Sequence, residues 1–144
     1  MRYPEQFLIP MRADLTQYGV TETRTPADVD AAIAAPGTVL MIVNSVCGCA
    51  AGKARPAVGM ALEHSVRPTH AATVFAGGDV EAVAHLRETH LAGIPPSSPS
   101  MALFRDGKPV WFLPRHAIES SQAFEIAEVL KQAFEQHCAE PVKS

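Results

Sequence analysis

The segment Thr38-Val39-Leu40-Met41-Ile42-Val43-Asn44-Ser45 constrains the fold more than any other part of the sequence. It is apolar without alternation through its middle, so neither side of a strand built from it tolerates water. Such a strand belongs at the centre of a sheet covered on both faces, the situation of strands in parallel α/β sheets. Right-handed strand–helix–strand crossovers then give an α/β chain, a mixed sheet with helices on both faces. At 144 residues the chain has room for a substantial core in one domain, 1–144, and no linker or repeat divides it.

The rest of the pattern supplies the layers. After Pro10, Met11, Leu15 and Tyr18 recur at helical spacing until Gly19, which predicts a first helix. Thr21 to Arg24 reads as a short edge strand. Thr25-Pro26 is an N-cap with proline at the first helical position, opening a helix to about Ala35. Ala54, Ala57, Val58, Ala61 and Leu62 share one helical face, and Pro56 is expected to kink that helix. Thr69 to Ala76 predicts a second buried strand. Asp79 is expected to cap a helix whose apolar side is Val80, Val83, Ala84 and Leu91. Ser100–Phe104, Asp106-Gly107 and Pro109–Leu113 read as a hairpin. A last helix from about Ser121 carries the stripe Ala123, Ala127, Leu130, Phe134 and Cys138.

Just beyond the carboxyl end of the central strand lies Cys47-Gly48-Cys49, at the end of an open α/β sheet where sites gather. The following helix offers free N–H groups and the positive end of its dipole to Cys47, which favours a thiolate and makes Cys47 the candidate nucleophile. With one glycine between them the two sulfurs can bridge only across a sharply bent backbone, so the expected disulfide is tight and easily reduced. Lys53 and Arg55, in the same helix, are candidates to favour a thiolate or an anionic thiol substrate. Two other readings stand beside this one: a pair of small buried residues at a helix start, and a metal site, for which the nearest histidine in sequence is His64.

Other side chains carry less. His85 and His90 are five apart, wrong for a shared α-helical face, and read as surface residues. Arg115 and His116 follow the last strand and could reach the functional end of the sheet or face solvent, with solvent or a structural contact the preferred reading. Cys138, on the last helix's apolar stripe, reads as a small core residue. A net charge of −3 without a Lys/Arg run gives no footprint for nucleic acid. The longest apolar stretch, Val39–Val43, is too short to span a membrane, and the first residues lack a leader's apolar core, so a cytoplasmic location is expected. Three cysteines do not make a secreted disulfide framework. No phosphate-binding loop, dinucleotide fingerprint or serine-hydrolase elbow is present.

Pro99-Ser100-Met101-Ala102-Leu103-Phe104-Arg105-Asp106-Gly107 resembles the cis-proline, strand and turn of thioredoxin-like proteins, with Pro99 as the cis-proline. More specifically, Val43-Asn44-Ser45-Val46-Cys47-Gly48-Cys49-Ala50-Ala51-Gly52-Lys53-Ala54-Arg55-Pro56 and Pro95-Pro96-Ser97-Ser98-Pro99-Ser100 resemble the bacilliredoxin family. Tyr3-Pro4, Pro10-Met11-Arg12 and Arg115-His116-Ala117-Ile118-Glu119 extend the likeness. The resemblance implies a thioredoxin-like fold and removal of bacillithiol, a low-molecular-weight thiol, from S-bacillithiolated client proteins. It implies Cys47 as the attacking thiol and Cys49 as the resolving one, with Gly48, Ser45, Pro99, Ser100 and Arg55 in support. Bacillithiol is then a co-substrate rather than a bound cofactor, no metal is required, and a disulfide reductase recycles the pair. The same chemistry permits a general protein disulfide reductase or isomerase, and the pair could instead serve a non-catalytic redox sensor or metal-binding module.

Overall fold

A computed structural model describes residues 2–139; Met1 and residues 140–144 of the expected domain lie outside them. Five strands form one mixed sheet in the order β1-β3-β2-β4-β5. β2 (Thr38–Asn44) runs parallel to β3 (His70–Phe75), which pairs in parallel with the two-residue edge strand β1 (Thr21–Glu22). On its other side β2 pairs antiparallel with β4 (Ser100–Arg105), and β4 with β5 (Lys108–Leu113). The β4–β5 turn is Asp106-Gly107, both with positive φ (51° and 79°), as a two-residue hairpin of this twist demands.

Every residue of β2 is buried, as its unbroken apolar run requires. Leu40 and Ile42 join Met101 and Leu103 beneath α1 (Glu5–Thr16), α3 (Arg55–Ala61) and α6 (Ala123–His137); Val39, Met41 and Val43 join Ala102 and Phe104 beneath α2 (Pro26–Ile33) and α4 (Val80–His85). Helix α3 opens with a π-helical turn, Ala50–Ala54, and continues as Arg55–Ala61; α4 (Val80–His85) ends in a second, Leu86–His90. A short helix, α5 (Arg115–Glu119), leads from β5 to α6.

Four expectations are corrected. The first helix starts at Glu5 and contains Pro10, because the carbonyl that proline leaves without a donor belongs to Gln6, which is exposed. Asp79 occupies the N-cap position of α4 as expected, but its side chain does not cap the helix: the carboxylate turns inward to the Arg12 guanidinium and the Phe75 N–H. Val80 and Ala84 are exposed, and the buried side of α4 is Ala82, Val83 and Leu86. No helix was expected at Arg115–Glu119, where one turn with Pro114 at its N-cap forms.

Candidate active site

The chain leaves β2 at Asn44 and enters helical backbone at residue 48, so Cys47 stands at the helix start. Its carbonyl accepts from Ala50 N–H at 2.9 Å and Ala51 N–H at 3.2 Å. The approach loop is braced from below. Ser45 Oγ accepts from Cys47 N–H at 3.1 Å, and Asn44 Oδ1 from Ser45 N–H at 2.9 Å. Arg55 is buried and donates through Nη1 to Asn44 Oδ1 at 3.0 Å and Ser45 O at 3.1 Å, while its Nε lies 3.0 Å from the Asp14 carboxylate. Asn44 Nδ2 donates to Met11 O at 3.2 Å. Arg55 therefore holds the loop and contacts neither sulfur, unlike the thiolate-facing charge expected of it. Lys53 donates to Glu119 O and ties α3 to α5.

Both thiols are free, half-buried and close, their sulfurs 2.8 Å apart. Cys49 N–H donates to Cys47 Sγ at 3.4 Å, and Arg115 Nη2 donates to the same sulfur at 3.3 Å. Burial works to raise the Cys47 pKa, but hydrogen bonds from the Cys49 thiol and amide, the Arg115 charge and the Ala50 amide outweigh it, and the thiol lies below its ordinary value. Cys49 moves the other way: it donates its proton toward Cys47, is desolvated, and faces the negative Cys47 sulfur. The two thiols are thus shifted in opposite directions, Cys47 toward the thiolate and Cys49 toward the protonated form.

Just before β4, Pro99 follows a cis Ser98–Pro99 bond and is buried. Ser100 Oγ donates to Ser97 O at 2.9 Å, closing the loop before β4. Gly48 is exposed, lacks positive φ, and a Cβ there would meet nothing within 4 Å. In this dithiol state the sharply bent backbone expected at Gly48 is absent, and the position faces solvent.

Arg115 was expected at solvent or in a structural contact, and its reach to Cys47 corrects that reading. Its Nη1 donates to Ser98 O at 3.3 Å, its Nε to Glu119 Oε1 at 3.0 Å, and its backbone N–H to Ser97 Oγ at 3.2 Å. The signal was in the hairpin. β4 begins beside the cysteine end of β2, with Val43 opposite Ser100, so antiparallel β5 must finish there, with Leu113 opposite Met101. Residues just after Leu113 are delivered to the site. Arg115→Gln should move the pH–rate profile of Cys47 alkylation to higher pH and slow the reaction at neutral pH, since the thiolate loses a favourable charge. An unchanged profile would remove Arg115 from the thiolate's environment.

Cys138 is far from this pair. It packs at the end of α6 against Thr38, whereas Cys47 follows the other end of β2, about 20 Å away for a seven-residue strand. Burial raises its thiol pKa.

Comparison with known proteins gives a consistent picture. The model of a family described as disulphide isomerase matches residues 3–138. A bacilliredoxin from Salinibacter ruber is 52% identical over 142 residues, covering 97% of this chain and 83% of its own. One from Cytophaga hutchinsonii is 52% identical over 134 residues, 93% of this chain and 98% of its own. Among solved structures, mitochondrial thioredoxin 3 from Saccharomyces cerevisiae superposes with a TM-score of 0.59 at 11% identity, over 85% of this chain and 98% of its own. The fold is therefore thioredoxin-like.

Proposed function

The chain belongs to the bacilliredoxin family of thioredoxin-like thiol–disulfide oxidoreductases, and we propose that it removes bacillithiol from S-bacillithiolated proteins. Cys47 thiolate attacks the bacillithiol sulfur of the client's mixed disulfide. A Cys47–bacillithiol disulfide forms, and the client cysteine leaves as a thiolate that takes up a proton. Cys49, after losing its proton, attacks Cys47 Sγ, forms the Cys47–Cys49 disulfide and expels bacillithiol. A disulfide reductase then supplies two electrons and two protons to restore both thiols; a second bacillithiol attacking the adduct is the other exit. A reducing, cytoplasmic setting suits this cycle.

The observation that supports the reading is the unequal environment of the two sulfurs. Cys47 Sγ lies 2.8 Å from Cys49 Sγ and accepts from Arg115 at 3.3 Å, and its thiol pKa is lowered while that of Cys49 is raised. An attacking thiol needs the first condition, and a resolving thiol that must wait for the adduct needs the second.

The test is intact-mass measurement of reduced Cys49→Ser protein after mixing with a bacillithiolated peptide and, separately, a glutathionylated one. One bacillithiol on Cys47 from the first peptide alone is the expected result. Adducts from both peptides would replace the proposal with general dethiolation, and adducts from neither would remove Cys47 as this kind of nucleophile.

A further inference from the structure

On the sheet face away from α3, the π-turn that ends α4 does something an α-helix cannot. In α-helical geometry residues five apart point about 140° from each other. The i→i+5 bonding of Leu86–His90, shown by Leu91 N–H donating to Leu86 O at 3.0 Å, stacks position 90 over position 85. His85 and His90 thereby face the same way. Both Nε2 atoms lie 2.7 Å from Oδ1 of Asp30 on α2. The ring centroids are 5.6 Å apart, and the His90 ring packs edge-on against Phe104 at 6.3 Å.

We propose that Asp30, His85 and His90 form a binding site for a divalent cation of the zinc class, joining α2 to α4. Their three ligand atoms lie within 4.8 Å of one another. Two imidazoles and a carboxylate are an established donor set for such ions, with a fourth position left to water. Around an ion 2.0–2.2 Å from each ligand, the donor atoms sit about 3.3–3.5 Å apart. Each 2.7 Å contact must therefore open by less than about 1 Å, which three partly exposed side chains accommodate. Without the ion, each ring donates its Nε2 hydrogen to Asp30. With it, both Nε2 atoms are bare and the hydrogens sit on Nδ1. For His85, Thr89 Oγ1 lies 3.3 Å from Nδ1 and accepts that hydrogen, an outer partner of the kind that orients metal-bound histidine. The five-residue spacing argues against a shared ligand only where the helix is α-helical, which here it is not. This site is independent of the cysteine chemistry.

The cysteine pair would compete for the same ion, so the probe is Zn2+ titrated calorimetrically into the full chain carrying Cys47→Ser and Cys49→Ser. One equivalent should bind, at least tenfold more weakly after His85→Ala or His90→Ala. Zn2+ should also raise the melting temperature of the parent, which binds it only when folded, and not that of the histidine variants. Replacing Zn2+ with Co2+ should give ligand-field bands without thiolate charge transfer, which excludes Cys138 as a ligand. If His90→Ala fails to fold, His85→Gln carries the comparison. Absence of binding, equal affinity in the histidine variants, or a thiolate band each overturns the proposal.

Discussion

Cys47→Ser should lower turnover of a mixed-disulfide substrate by roughly three orders of magnitude or more, the scale set by loss of a covalent nucleophile, whereas Cys49→Ser should keep the first step and stall after it. The asymmetry follows from proton positions. Cys47 sulfur is stabilised as an anion by the Cys49 thiol, the Cys49 amide and Arg115; a serine hydroxyl there is not ionised at neutral pH and leaves no attacking group. Cys49 has the raised pKa and lacks an Arg115 hydrogen bond of its own, so it is a poor substitute. Cys49→Ser keeps a hydroxyl donor and the same backbone N–H toward Cys47, so its first step should run near the parent rate with little change in pH dependence. Single-turnover release of a chromophoric thiol from a mixed disulfide checks all three statements. Comparable burst amplitudes in the two variants would defeat the division of labour. Added low-molecular-weight thiol should restart Cys49→Ser by attacking its adduct, and should leave Cys47→Ser inactive.

What could be read from residues alone was whatever depended on one segment's own pattern. Thr38–Asn44 is buried at every position because no register exposes a polar side chain from it, and that fixed it as the sheet's centre. Asp106-Gly107 sits in the left-handed region as its residue types require. Pro99 proved cis, as its position in the resemblance implied. What could not be read depended on partners distant in sequence. Arg115 reaches Cys47 because β5 returns to the cysteine end of the sheet, a fact about pairing rather than about Arg115. Arg55 faces inward because Asn44 and Asp14 wait there. A period of 3.6 residues does not see the π-turns; carried through Leu86–His90 it puts Val80 and Ala84 on the buried side and separates His85 from His90.

Asp79 illustrates the same limit and carries the second large effect: Asp79→Ala should cost about 3–5 kcal/mol, the range for removing one partner of a buried ion pair. Its carboxylate is buried. Oδ1 accepts from Arg12 Nη2 at 2.8 Å, and Oδ2 accepts from Arg12 Nη1 and Phe75 N–H, both at 3.0 Å. Alanine would leave a backbone donor unpaired and a buried guanidinium, stacked over the Phe75 ring at 5.3 Å, with only Glu5 and Glu22 at its edge. Because Glu5 is retained, the loss belongs toward the low end, a fall in melting temperature of about 10 °C for a chain of this size. Asp79→Asn, which keeps an acceptor for Phe75 N–H, should lose less. Arg12→Met combined with Asp79→Ala should lose less than the two single losses added, since the orphaned charge is gone. Chemical denaturation of the parent and the four variants, Arg12→Met alone among them, decides it, and a loss below about 1 kcal/mol in Asp79→Ala would mean that the pair is solvated rather than buried. The consequence reaches the cysteines, because α1, anchored through Arg12, presents Met11 O to Asn44 and Asp14 to Arg55. Those two residues hold the loop from which Cys47 emerges, so an ion pair far from the sulfurs helps set the ground on which they stand.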